Sequence, residues 1–234
     1  GAATGDALAR VLEAAGHEVE REYYVNDAGR QMAVLGSSIY ARYLELCGRA
    51  SEFPEDGYPG AYIEEVAAEL LEEFGPDLAD GDPAEAVELF ASRGAARLLE
   101  GIKKDLERLG VRFDRFTSER ELRDSGAVEA AMGELQKGGH VFEEGGAVWF
   151  RSSAFGDDKD RPLVKSNAEL TYFASDVAYH REKLQRGYDL IIDVWGADHH
   201  GYVKRVEASL RALGADAKAF AVVLVQMVNL TRDG

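Results

Sequence analysis

The 234-residue chain has little cysteine and no long apolar run. Its single cysteine, Cys47, excludes an internal disulfide framework and is typical of a reducing cytoplasm, which is the location we predict. No apolar run reaches the ~20 residues that a membrane helix needs, and no basic-then-apolar leader indicates secretion, so we expect no membrane partner. Clusters of cysteine and histidine at ligand spacing are also missing, so we predict no metal site.

Positive charge is scarce as well. The chain has 27 basic and 43 acidic residues, which gives a formal net charge of -16. Phosphate contacts need lysine and arginine, so this balance counts against nucleic-acid binding by the chain alone. The motifs of P-loop NTPases, dinucleotide-binding dehydrogenases and serine hydrolases are absent too. The acidity is compatible with a solvated surface or with a local pocket for a cationic ligand.

Both ends of the chain carry an α/β pattern. Thr4–Gly16 has apolar residues at helical spacing and leads into a predicted strand over Val19–Val25. Near the other end, Asp189–Trp195 and Phe220–Leu230 are apolar runs of the kind found in buried parallel strands, and Gly201–Leu213 between them has a helical pattern. Strand, helix and strand in this order predict a βαβ unit and an α/β fold.

The middle of the chain is predicted to be mostly helical. We expect four helices there, over Ile39–Leu46, Tyr62–Phe74, Pro83–Leu109 and Ala127–Gln136. A short strand over Val111–Phe116 and a hairpin within residues 141–151 complete the pattern. The simplest architecture is a Rossmann-type parallel sheet interrupted by a helical insertion. We predict its domains as residues 1–46 (first part of the core), 47–165 (insertion) and 166–234 (second part of the core).

The first candidate site lies at the end of the apolar run that closes with Trp195. Ligands of open α/β sheets bind beyond the carboxyl ends of the strands. Gly196 would let a ligand approach the backbone, and Asp198 can accept hydrogen bonds from a ribose or an ammonium group. His199 and His200 add groups that titrate near neutral pH. The same residues are also compatible with a helix N-cap at Asp198 and two surface histidines.

The second candidate site is the segment Tyr172–His180. If Asp176 lies in a helix, Tyr172 and Tyr179 lie about one turn before and after it. A carboxylate between tyrosine rings suits a guanidinium group, although a helix-start aspartate with two core tyrosines fits equally well. The charged turn Phe155–Arg161 is weaker evidence, since its acids could chelate a cation but a solvated loop is the expectation.

Several blocks, in order along the chain, resemble the class I arginyl-tRNA synthetases. Residues 1–10 are similar to the helix that follows the family's HIGH-type motif, and Glu22–Gln31 resembles the next strand with its N-D-x-G turn. Residues 225–234 look like the strand that leads into the KMSK-type loop. Further similar blocks are Phe155–Arg161, Leu170–His180 and Asp193–Tyr202. Asp27 and Gln31 match a family block for which the resemblance implies no role.

This resemblance implies a class I Rossmann catalytic domain that activates arginine with ATP and transfers it to tRNA(Arg). ATP would enter as a substrate with Mg²⁺, and no tightly bound cofactor is implied. By the resemblance, the residues that contact arginine would be Tyr172, Asp176, Tyr179 and His199. Those that contact ATP would be Gly196, Asp198, His200, Met227 and Val228.

The groups that would stabilise the leaving pyrophosphate are the HIGH-type histidines and the KMSK-type lysine, and neither motif is within the chain. We therefore predict no catalytic residue in this segment, expect the segment alone to be inactive, and expect a monomeric full-length parent that holds tRNA mostly through other domains. One alternative is a non-catalytic paralogue that uses the arginine pocket as a sensor. Another is a class I enzyme for a different amino acid, but an apolar substrate would leave Asp176 unpaired.

Overall fold

The computed structural model describes residues 1–229 and 231. The chain forms two compact units. One joins Gly1–Tyr24 to the described part of Phe113–Gly234, and the other is Val25–Arg112. These units divide the chain at other residues than the predicted domains do, and the predicted domain boundaries stay a prediction.

The first unit begins with helix α1 (Ala2–Ala14) and with strand β1 (Glu22–Val25), of which the last residue, Val25, is counted in the second unit. The predicted helix is confirmed, and Gly16 follows it with a φ of 91°, a left-handed conformation that glycine adopts at helix ends. β1 is shorter than the predicted strand. Arg21, just before it, pairs with Glu13 of α1 at 2.7 Å, so the start of the predicted strand is tied to the helix.

The second unit is a helical layer. It contains α2 (Arg30–Leu46), α3 (Ala61–Phe74) and α4 (Pro83–Arg108). α2 starts well before the predicted Ile39, whereas α3 and α4 match the prediction. Gly36 allows close packing of α2 on α4, because a Cβ added there would lie 2.9 Å from the Cβ of Ala91. Ile39 and Phe90 are fully buried in the core of this unit.

The first unit continues with a run of short elements: β2 (Arg115–Ser118), α5 (Glu119–Asp124), α6 (Ala127–Lys137), β3 (Val141–Glu144), β4 (Ala147–Phe150) and β5 (Arg161–Val164). β3, β4 and β5 form an antiparallel sheet, so the predicted hairpin is confirmed and gains a third strand. The strand predicted over Val111–Phe116 is displaced. It begins only at Arg115, where the backbone N–H donates to the carbonyl of Arg21 at 3.1 Å.

The expectation of a solvated loop over Phe155–Arg161 is wrong at two residues. Asp157 and Arg161 are buried, and the guanidinium donates to both carboxylate oxygens of Asp157, at 2.7 and 2.8 Å. Burial opposes ionisation of Asp157, but Arg161 and a backbone N–H hold the pKa of this carboxyl well below its usual range. The turn is therefore held by an internal ion pair.

The remaining elements are α7 (Tyr172–Gln185), β6 (Ile191–Gly196), α8 (Val203–Ala212) and β7 (Phe220–Val225). β6 and β7 are parallel with α8 between them, which confirms the predicted βαβ unit and the α/β fold class. β7 ends at Val225, before the predicted end at Leu230, a residue outside the described part of the chain. Among the helices of residues 1–229, none is long and apolar enough to cross a membrane.

Candidate functional site

One face of α7 carries three of the four residues predicted to contact arginine. The helix is capped by Thr171, whose side chain accepts a hydrogen bond from the N–H of Ala174 and donates one to the carbonyl of Pro162 at 2.9 Å. Tyr172, Asp176 and Tyr179 follow at helical spacing and therefore share a face. Tyr172 is 55% exposed, Asp176 is partly buried, and Tyr179 is only 8% exposed. The side chains on this face are thus more deeply buried with increasing distance from the N-terminus of α7.

The Asp176 carboxyl has an unusual electrostatic environment. Burial raises its pKa to about 6, His180 and Arg205 oppose the rise, and the carboxylates of Glu119 and Asp193 add to it. Within residues 1–229 and 231, no ion pair or side-chain hydrogen bond reaches this carboxyl. A partly buried carboxylate without a direct ion pair is costly, so the arrangement favours binding a positively charged ligand.

Tyr179 is held between two other residues. Its ring lies 4.8 Å from the ring of Tyr24, measured between centroids, and the ammonium of Lys183 lies 4.0 Å from the Tyr179 ring centre. Burial raises the pKa of the Tyr179 hydroxyl well above its ordinary value, so the group stays neutral. Tyr179 lies about one helical turn after Asp176 in α7, as expected if this segment is helical, and it also belongs to the hydrophobic core.

The residues predicted to contact ATP lie where β6 and β7 end. Gly196 pairs with Val225 in the parallel register, so the chain leaves both strands at the same edge of the sheet. β6 is followed by a 3₁₀ turn, Ala197–Tyr202, which we call the strand-end turn and which carries Asp198, His199 and His200. Met227 and Val228, just after β7, are 86% and 78% exposed. The structure therefore brings these predicted residues together at one edge.

The strand-end turn is organised by its own side chains. The ring of His199 lies 5.6 Å from that of Tyr202 and 6.3 Å from that of Trp195, and its Nε2 is 3.4 Å from a carboxylate oxygen of Asp198. His200 Nδ1 lies 3.0 Å from the carbonyl oxygen of Ala197. The alternative of a helix N-cap at Asp198 is wrong, because α8 begins at Val203 and its N-cap is Tyr202.

Four charged or titratable residues on α7 and the elements beside it were not identified from the sequence. The guanidinium of Arg205 lies 4.1 Å from the ring centre of Tyr202, and its Nε is buried with no hydrogen-bond partner among the described residues. The other three form what we call the buried triad: His180 and Lys183 on α7, and Asp193 on β6. A signal for the triad was present, since Asp193 interrupts an otherwise apolar run.

Asp27 and Gln31 lie in the second unit, where the side-chain amide of Asn26 donates to Gln31 Oε1 at 3.4 Å. The structure assigns no role to either residue. No group of three or more histidine, cysteine, aspartate or glutamate residues that could hold a metal ion occurs in the part of the chain that the structure describes.

Solved structures resemble this arrangement of helices and strands. A crystal structure from Campylobacter jejuni, assigned to an arginyl-tRNA synthetase, matches all of this chain and 51% of that chain, with a TM-score of 0.92 and 37% identity. The arginyl-tRNA synthetase of Plasmodium falciparum matches 96% of this chain and 39% of its own, with a TM-score of 0.68 and 17% identity, and so supports the fold alone. The architecture is that of a class I tRNA synthetase catalytic domain.

The sequence comparisons specify the family. Residues 2–230 match the family described as tRNA synthetases class I (R), catalytic domain. The arginine–tRNA ligases of Syntrophotalea carbinolica and Desulfovibrio desulfuricans are 53% and 51% identical over 234 residues, which is all of this chain. The chain therefore belongs to the arginyl-tRNA synthetase family, as the sequence blocks predicted. It spans about 42% of the length of these curated relatives.

Proposed function

We propose that this chain is the arginine- and ATP-binding part of an enzyme that activates arginine with ATP and transfers it to tRNA(Arg). The observation that carries the proposal is the Asp176 carboxyl, which is partly buried and forms no direct ion pair among the described residues. A guanidinium supplies a delocalised positive charge and two parallel N–H donors, which match a carboxylate. An arginine side chain is therefore the amino-acid ligand that best completes this site.

The neighbouring residues divide the recognition of arginine between them. Tyr172 is exposed at the start of α7 and would cover the guanidinium from the solvent side, while the buried Tyr179 would limit the depth of the site. His199, on the strand-end turn, would contact the amino-acid end of the substrate. Its ring can do so because it is more than half exposed.

ATP would bind at the shared edge of β6 and β7. Gly196, Asp198 and His200 would line the ribose, and the main chain of Met227 and Val228 would contact the adenine. Mg²⁺ would accompany ATP as part of the substrate. The nucleotide end of the proposed site is open to ligand entry, since Asp198, His200, Met227 and Val228 are exposed.

The chemistry would depend on placement of the two substrates. Activation joins the arginine carboxylate to the α-phosphate and releases pyrophosphate, and this displacement requires no protein nucleophile. The residues of this chain would orient the reacting groups, and the positive charge for the leaving pyrophosphate would come from the HIGH-type and KMSK-type motifs. We expect the chain alone not to charge tRNA. Cytoplasmic location and a monomeric full-length protein also remain predictions.

The test is Asp176→Asn in the full-length protein, assayed by arginine-dependent ATP–pyrophosphate exchange with tRNA present. Loss of a charged guanidinium contact costs ~2–4 kcal/mol, so the arginine KM should rise at least about thirtyfold. Citrulline, which has a neutral urea group in place of the guanidinium, should be discriminated against by the original protein much more strongly than by the variant.

Glu169→Gln is the matched control, because Glu169 is exposed and its carboxylate pairs with Lys165 of the same loop. It should leave the arginine KM unchanged. An unchanged arginine KM in Asp176→Asn would refute the proposed role. If the full-length protein bound arginine well without ATP but formed no adenylate, calorimetry and exchange together would instead support the sensor function.

A further inference from the structure

A buried charged cluster links α7 to β6. Its members are His180, Lys183 and Asp193, which are 2%, 8% and 6% exposed. Asp193 receives two contacts, from His180 Nε2 at 2.6 Å and from Lys183 Nζ at 2.7 Å. Burial opposes ionisation of Asp193, but the two cationic partners hold the pKa of its carboxyl well below the usual range. The cluster therefore contains a carboxylate anion.

The hydrogen bonds of His180 determine its protonation. Its Nδ1 lies 2.7 Å from the main-chain carbonyl oxygen of Asp176, which can only accept, so Nδ1 must donate. Its Nε2 faces the ionised carboxylate of Asp193, which also only accepts. Both contacts are hydrogen bonds only when each ring nitrogen carries a proton, that is, when His180 is an imidazolium.

Stability alone does not explain such a cluster. Replacing a buried ion pair by apolar residues of similar volume is often neutral or stabilising, and the best-attested use of buried charges is to set one register between elements. Here the cluster joins two elements that both carry proposed substrate contacts. α7 bears Asp176 and Tyr179, and β6 leads directly into the strand-end turn.

We propose that the buried triad is a positioning device that sets the place of the arginine-recognising residues relative to β6. His180 holds the main-chain oxygen of Asp176, and Lys183 lies 4.0 Å from the ring centre of Tyr179. Both therefore reach the proposed arginine site through another residue, and Asp193 fixes both to the strand. This inference rests on the proposed function, because it concerns the placement of the same guanidinium site.

The test removes both members of the Lys183–Asp193 ion pair, so neither of these two charges is left without the other. In the double variant Lys183→Met and Asp193→Leu, His180 loses its acceptor and α7 loses its polar link to β6, whereas apolar contacts remain. A misplacement of about 1 Å costs up to about a hundredfold in activity. We expect the arginine KM to rise about tenfold or more, with the ATP KM within about twofold and the melting temperature not lowered.

A matched control removes the same two charges from an exposed pair. Lys165 and Glu169 are 3.0 Å apart at the surface, and the double variant Lys165→Met and Glu169→Leu should leave both KM values unchanged. If the buried double variant folds and keeps the original arginine KM, the triad is only structural. If Asp176→Asn also has no effect, the proposed function itself fails, so the two failures are distinguishable.

A second measurement is made on the unsubstituted protein and uses a variant of the triad only to assign the NMR signals of His180. Nitrogen-15 NMR of the histidine rings in the full-length protein, with His180 assigned by its loss in His180→Gln, reports which ring nitrogens carry protons. We expect a proton on each ring nitrogen of His180, because each nitrogen faces an acceptor oxygen. A neutral ring would overturn the inference, whether or not the double variant folds.

Discussion

The buried face of α7 and the strand-end turn belong to the same compact unit but differ in how far their charged groups are exposed to water. The charged side chains of the buried triad on α7 and β6 are shielded from water, and each contacts another member at 2.6 to 2.7 Å. On the strand-end turn, Asp198 and His199 are mostly exposed, and their closest approach is 3.4 Å. The amino-acid end of the proposed site is thus built into the fold, whereas the nucleotide end is formed by groups in water. Substitutions of the buried charged residues should therefore change the free energy of unfolding far more than substitutions on the strand-end turn.

The largest effect on stability should come from Asp193→Ala. This change leaves His180 and Lys183 as two buried cations without their carboxylate, and breaking a buried pair in this way costs about 3–5 kcal/mol. Urea unfolding at neutral pH measures the free energy directly. If Asp193→Ala lowered the free energy of unfolding no more than Asp198→Ala does, the proposed difference between the two regions would be wrong.

The next effect should have the opposite sign. The Asp176 carboxyl has an ordinary pKa of 3.8 when unfolded and about 6 when folded, so ionisation of the folded protein costs stability. This cost is absent below the unfolded pKa and fully present above about pH 6. Asp176→Asn should therefore stabilise the fold by about 1–3 kcal/mol at pH 8, and the gain should disappear near pH 4.

Unfolding of Asp176→Asn as a function of pH measures this gain. A constant difference from the original protein between pH 4 and pH 8 would contradict the assigned environment of Asp176. The same raised pKa predicts weaker arginine binding below about pH 6, because the protonated carboxyl no longer offers a charge to the guanidinium.

The smallest effect on stability should come from the strand-end turn. Asp198→Asn and His199→Gln remove an exposed pair, and such changes alter the free energy of unfolding by less than about 0.5 kcal/mol. Their effect should appear in substrate binding instead, as a higher KM for ATP in the first variant and for arginine in the second. Thermal unfolding alongside steady-state kinetics separates the two. Marked destabilisation would show that the turn supports the fold.

The sequence predicted the elements that depend on local pattern. The helices α1, α3 and α4 and the parallel unit of β6, α8 and β7 follow from apolar spacing and turn residues, and the structure confirms them. The sequence places Tyr179 one turn from Asp176 only on the condition that Asp176 lies in a helix, and α7 meets this condition.

What the sequence could not supply depends on contacts between distant residues. Asp157 and Arg161 look like members of a solvated loop until the fold buries them as a pair. In the sequence, Asp193 is only a polar residue within an apolar strand. Its contacts with His180 and Lys183 depend on the packing of α7 against β6. The lack of a direct ion pair at the Asp176 carboxyl is likewise a property of its surroundings, since no local pattern specifies which charged side chains the fold brings within reach.

The link between His180 and Asp176 has a consequence for redesign of substrate choice. His180 bonds the main-chain oxygen at position 176, an atom that every amino acid has. The backbone at this position is therefore anchored independently of the side chain that contacts the ligand. A library restricted to position 176 should sample new amino-acid preferences on an unchanged scaffold.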